Sequence, residues 1–104
     1  MRATTLSEAG LTKMEKLFAE LLITGKVQGV FYRAHTKRFA LELDLKGYVQ
    51  NQDDGSVKII VQGTKPRIKE LELWCWQGPK LSNVENVQIR YTRPGEEFTT
   101  FERR

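Results

Sequence analysis

The sequence predicts an α+β fold of order β-α-β-β-α-β plus a short fifth strand, with two helices on one face of an antiparallel sheet. Three observations carry that reading. Apolar residues alternate with period two in four stretches, two stretches between them switch to helical spacing, and turn-forming residues separate one stretch from the next. With 104 residues, 39% apolar and 29% charged, the chain has the size and composition of one globular domain with its own core.

The regular pattern starts near Phe18. Ala19, Leu21 and Ile23 alternate with Phe18, Glu20 and Leu22, which gives a strand with apolar residues on both faces. Gly25-Lys26-Val27-Gln28-Gly29-Val30 interrupts it. From Phe31 to Leu43 the period is helical, with Tyr32, Thr36, Phe39, Ala40 and Leu43 on one face. A second strand runs from Leu45 to Asn51, and Gln52-Asp53-Asp54-Gly55 makes a hairpin turn. The third strand, Ser56 to Gln62, places Val57, Ile59 and Val61 on one face. Thr64 then stands as an N-cap and Pro66 in the first turn of a second helix. Ile68, Leu71 and Cys75 keep helical spacing until Gly78-Pro79 stops it. Val87, Ile89 and Tyr91 alternate in a fourth strand, Val84 to Thr92, and Pro94-Gly95 turns the chain into a last strand around Phe98 to Glu102. This is the split βαβ, or ferredoxin-like, arrangement. Residues 1–15 read as an N-terminal extension, a tail or short helix in which Met14 is an alternative start, and residues 16–104 as the domain.

Composition removes several classes of function. A single cysteine, Cys75, makes no internal disulfide, and with a single histidine, His35, there is neither a cysteine-built zinc site nor a histidine-pair metal centre. The expectation is no metal and no cofactor. Met1 to Lys16 holds no apolar run fit for a signal-peptide core, and no stretch approaches the ~20 apolar residues that span a bilayer. The reading is therefore a cytoplasmic protein, acting as a monomer, with no membrane partner. The net charge is +4, and residues 25–43 carry Lys26, Arg33, Lys37 and Arg38 against Glu42. That concentration points to an anion, and a small one fits at least as well as a nucleic acid.

The junction between the first strand and first helix carries most information. A helix N-terminus presents unpaired N–H groups and partial positive charge. Gly29 leaves the backbone open to close approach, and Arg33 in the first turn can grip two oxygens of an anion at once. On these residues alone the loop is either a phosphate or carboxylate site, or an ordinary glycine loop beside a surface arginine. It is not a Walker A loop, because Gly25-Lys26 is followed by Val27, and it is not G-x-G-x-x-G. The segment Gly47 to Gly55 reads as strand and turn, and Gln50 and Gln52 stand where a calcium loop needs carboxylates.

Val27-Gln28-Gly29-Val30-Phe31-Tyr32-Arg33, taken with Gly47-Tyr48-Val49-Gln50-Asn51 and Asp54-Gly55-Ser56-Val57, resembles the two signatures of the acylphosphatases. Gly78-Pro79 and Phe101 also fit, so the resemblance runs from about Phe18 to Phe101. It implies the fold argued above and hydrolysis of the carboxyl–phosphate bond of acyl phosphates, with inorganic phosphate as product and competitor. It further implies that Arg33 binds phosphate, that Asn51 orients water, and that Gln28, Gly29, Val30, Phe31, Tyr32 and Arg33 form the phosphate cradle. There are two departures. Tyr32 stands where the family often has Phe, and Asp44 where most members have Gly, at a position that calls for a left-handed backbone. A non-catalytic anion- or nucleic-acid-binding module on the same fold is the competing reading. An accessory acylphosphatase-like domain of a larger carbamoyl-transfer protein is another, which the chain length disfavours.

The residue inventory agrees with that chemistry. An acyl phosphate releases a carboxylate, which needs no general acid, and phosphoryl transfer asks mainly for positioning and charge neutralisation. The other conspicuous side chains have plainer roles. His35 lies two residues past Arg33, on another face, and reads as structural or solvent-facing. Cys75 reads as a buried small hydrophobe. Trp74 and Trp76 lie on different helix faces, so at least one packs. Tyr48 and Phe18 lack the aromatic pattern of an RNA-binding sheet, and no nucleic-acid partner is expected. Lys37, Arg38, Lys65, Arg67 and Lys69 read as solvated helix faces that steer anions inward.

Overall fold

The computed structural model describes residues 15–104; the proposed extension, apart from residue 15, and Met14 lie outside them. Among the described residues there are five strands and two helices: β1 (Lys16–Lys26), α1 (Tyr32–Glu42), β2 (Lys46–Asn51), β3 (Val57–Thr64), α2 (Lys65–Gln77), β4 (Asn83–Thr92) and β5 (Phe101–Arg103). No described helix is long and apolar enough to cross a membrane.

The strands form one sheet in the order β4-β1-β3-β2-β5. β1 lies between β4 and β3, antiparallel to both, with Leu21 opposite both Ile59 and Ile89. The alternation that predicts these strands also builds the core. Ala19, Leu21 and Ile23 of β1 and Val57, Ile59 and Val61 of β3 turn to one face and are almost fully buried. Tyr32, Thr36 and Ala40 of α1 and Ile68, Leu71 and Cys75 of α2 cover that face. Each fully buried Leu, Ile or Val side chain contributes about 1.5–3 kcal/mol.

One expectation about the sheet is corrected. It is not antiparallel throughout, because β5 pairs parallel with β2, bringing Phe101 opposite Gly47 and Arg103 opposite Val49. The last strand consequently starts at Phe101 rather than near Phe98. β4 and β5 occupy opposite edges of the sheet, so residues 93–100 are needed to cross the face that the helices leave open. Buried Gln62 holds the crossing: its amide donates to the Glu96 carbonyl, and its Oε1 accepts from the Phe98 N–H at 3.2 Å. The Phe98 ring meets Tyr48 edge-on at 5.7 Å, and the Arg104 guanidinium lies 4.0 Å from the Tyr48 ring centre. The aromatic face weighed as an RNA platform is thus occupied by the chain itself.

Helix ends follow the sequence with one exception. Thr64 takes the N-cap position of α2, but its side chain makes no capping hydrogen bond. Pro66 explains part of this, since it removes one of the two N–H groups that a capping oxygen reaches. At the other end of α2 the Cys75 carbonyl has lost its regular helical donor, because the residue four positions on is Pro79. Tyr32 of α1 supplies the replacement, its Oη donating to that carbonyl at 2.7 Å. Burial drives the Tyr32 hydroxyl far above its ordinary pKa and pushes the Cys75 thiol up to about 12, so both stay protonated. Trp74 packs against the rings of Tyr32 and Phe39 at 5.3 and 5.8 Å, whereas Trp76 is half-exposed.

Candidate active site

The loop from β1 to α1 is shaped by which of its side chains the core accepts. Val27 and Val30 are buried and pin the loop from below. Between and after them, Gly29 and Phe31 both have left-handed backbones, at φ 73° and φ 66°. Left-handed residues interleaved with others turn successive N–H groups toward one concavity, an arrangement that receives anions. A Cβ atom at Gly29 would meet nothing within 4 Å, so the space next to its backbone is open. α1 then begins with Phe31 at its N-cap, with no side-chain cap and no acidic residue in its first turn. Its first N–H groups are left without side-chain acceptors, at the positive end of the helix dipole.

A cavity of about 280 Å³ opens at this point, lined by Gly29, Phe31, Arg33, Ala34, Asn51 and Arg103 among others. Arg33 and Asn51, from motifs 18 positions apart in the sequence, therefore share one hollow. Arg33 is partly exposed, and its Nη1 donates to the backbone oxygen of Arg104 at 2.6 Å. Asn51, the last residue of β2, presents a buried Oδ1 with no hydrogen-bond partner. Orphaned polar atoms of this kind are rare and call for a functional explanation.

Of the cradle residues named from the sequence, Gly29, Phe31 and Arg33 face the cavity with backbone or side chain. Val30 points into the core. Tyr32 lines the cavity but sends its hydroxyl the other way, to α2. Gln28 does something the sequence reading did not anticipate. Its Nε2 donates to the carbonyl oxygens of Gln52 and Ser56, both at 2.8 Å, and so clamps the loop to the β2–β3 hairpin. The hairpin is itself fixed by Asp54, whose Oδ1 accepts from the Ser56 hydroxyl at 2.6 Å and from its N–H at 3.0 Å. Those bonds, the hydroxyl's above all, hold the Asp54 carboxyl below its usual pKa. His35 is tied to the same region: its backbone N–H and its Nδ1 lie 3.1 and 2.9 Å from the Phe31 carbonyl, which fits the structural role expected for it.

Arg103 is the residue that sequence reasoning missed. It lines the cavity, a second arginine beside Arg33, because β5 runs parallel beside β2. With the last strand placed at 98–102, Arg103 fell outside any element, and only the register with Val49 would have found it.

Comparison with known proteins bears on the whole unit. A sequence model of the acylphosphatase family matches residues 19–103. An acylphosphatase of Pelotomaculum thermopropionicum is 38% identical over 88 residues, spanning 85% of this chain and 96% of that one. One from Marinobacter nauticus is 44% identical over 81 residues, spanning 78% of this chain and 88% of that one. The structure of an acylphosphatase from Coxiella burnetii superposes with a TM-score of 0.81 at 34% identity, covering 86% of this chain and 93% of the other. Sequence, fold and the pairing of the two motifs at one cavity agree: the chain belongs to the acylphosphatase family and is an enzyme of that family.

Proposed function

We propose that this enzyme hydrolyses acyl phosphates by direct attack of water on phosphorus, without a metal ion. The loop N–H groups and the Arg33 guanidinium hold the phosphoryl group, and Asn51 orients the water. The observation that carries the reading is that Asn51 lines the cavity that Arg33 also lines and that its buried Oδ1 has no hydrogen-bond partner. An acceptor with no protein donor suits a water proton, and the attacking oxygen would thereby be aimed across the hollow.

The reaction balances without a protein acid or base. The water oxygen bonds to phosphorus while the bond from phosphorus to the carboxylate oxygen breaks, that oxygen leaving with the electron pair. An acyl phosphate dianion and water thus become a carboxylate and a dihydrogen phosphate ion. The leaving carboxylate is stable as an anion near neutral pH. What the site must supply is neutralisation of the equatorial phosphoryl oxygens and alignment of the nucleophile. A fixed guanidinium and preorganised N–H groups meet the first need, and a neutral amide meets the second.

The test is turnover of a simple acyl phosphate by the purified protein in excess EDTA, with inorganic phosphate as competitor. Hydrolysis that persists and is inhibited by phosphate supports the reading. Loss of hydrolysis on chelation, restored by Mg²⁺, overturns the metal-free mechanism.

A further inference from the structure

We propose that Phe31 is the contact for the acyl group, so that this enzyme favours acyl phosphates whose acyl group is bulky, flat and apolar. The inference rests on the reaction assigned above and names the part of the substrate that the phosphoryl cradle leaves unread.

The argument starts from the side chains that the loop has to offer. With the phosphoryl group held at the loop N–H groups, the rest of the substrate leaves the cradle past the loop. Gln28 is committed to two hairpin carbonyls, Gly29 has no side chain, and Val30 and Tyr32 are buried. Phe31 alone among these five is a large apolar residue that lines the cavity and stays exposed, with 67% of the residue in water. The chain's other apolar rings at this end of the fold are put away: Phe101 and Tyr32 are in the core and Phe39 stacks on Trp74.

Two features set this exposed ring apart from an ordinary surface side chain. A left-handed backbone at φ 66° is unfavourable for an aromatic residue, and glycine would take it without strain. The Phe31 carbonyl is also fixed by the two nitrogens of His35, so the base of the side chain does not drift. A solvated ring on a strained, anchored backbone at the mouth of an anion cavity has the makings of an apolar contact that forms when substrate binds. Ala34, one helical turn further along the wall, adds apolar surface to the same side.

The experiment compares wild type, Phe31→Gly and Phe31→Tyr on benzoyl phosphate and acetyl phosphate, reading the ratio of the two kcat/KM values. Phe31→Gly accepts the left-handed backbone, so its urea midpoint will equal or exceed that of wild type. The expected result is a benzoyl-to-acetyl ratio reduced about three- to tenfold in Phe31→Gly, the range typical of losing one aromatic contact, and restored in Phe31→Tyr. An unchanged ratio in Phe31→Gly, or a ratio that Phe31→Tyr fails to restore, overturns the contact while leaving the reaction intact. Wild type that hydrolyses neither compound overturns the reaction itself and the contact with it.

Discussion

The side-chain amide of Gln28 donates to the backbone carbonyl of Ser56 at 2.8 Å, and this bond fastens the anion loop to the hairpin that follows Asn51. Its second proton goes to Gln52. The two halves of the candidate site come from different strands, and among the described residues these are the side-chain hydrogen bonds that join loop 27–31 to the hairpin. Gln28→Ala is expected to lower the denaturation midpoint by an amount equivalent to about 1–2 kcal/mol, the net worth of two such bonds. Turnover should fall more than phosphate inhibition weakens, because the cradle stays while its alignment with Asn51 loosens. Urea titration and phosphate inhibition on one preparation check both statements.

Arg33 and Asn51 are expected to fail differently. The phosphoryl group is anionic before and during reaction, so Arg33→Ala should weaken phosphate binding and slow turnover together. Arg33→Lys keeps the charge but not the planar fork, and should remain badly impaired. Asn51→Ala should cut turnover by about 10²–10³ with phosphate inhibition nearly normal, as expected for one preorganised polar group lost from the transition state. Full turnover in Asn51→Ala would reassign the water-orienting role.

Asp44 carries a left-handed backbone at φ 58°, a conformation that glycine takes without strain. Its carboxylate compensates in part, lying 2.9 Å from Lys46 Nζ and 3.4 Å from Arg67 Nη1. The hydrogen bond and charge of Lys46 lower its pKa, so the ion pairing is complete above the ordinary carboxylate value and is lost as pH falls through the lowered one. The pairs are exposed and therefore weak and screened by salt. Asp44→Gly should raise the urea midpoint modestly, and raise it more at high salt or acid pH than at neutral pH in dilute buffer. Turnover should stay near wild type, since Asp44 lies past the far end of α1 from Arg33.

Tyr32→Phe removes a donor that nothing else replaces. The Cys75 carbonyl would be left buried beside Pro79 without a partner, at a cost of about 1–3 kcal/mol. Thermal unfolding of the single variant measures it, and a change below a few tenths of a kcal/mol would show that the carbonyl finds another donor.

Most of the fold is legible in the sequence because burial follows regular periods, two through most of β1 and β3 and 3.6 in α1 and α2. Arg33 and Asn51 are legible for a different reason, the spacing of two motifs. What escapes is polar and long-range. Gln62 reads as an ordinary polar position and Gln28 as a member of the phosphate cradle, yet their amides reach carbonyls 24 to 34 residues away. No local pattern marks a glutamine whose partner is a backbone oxygen across the fold. The parallel placement of β5 escapes likewise, since three residues are too few to show a direction, and Arg103 is lost with it.

That short strand makes the site less durable than the core beneath it. β5 holds Arg103 and leads to the oxygen on which Arg33 rests, but its link to β2 is three residues long and lies at the sheet edge. Edge units of this kind open locally at a fraction of the global free energy. Amide exchange at Gly47 and Arg104, whose N–H groups bond to Thr100 and Val49 across this edge, should be faster than across the β1–β3 ladder. On gentle denaturation, then, catalysis should fade first, while the hydrophobic centre still protects its amides.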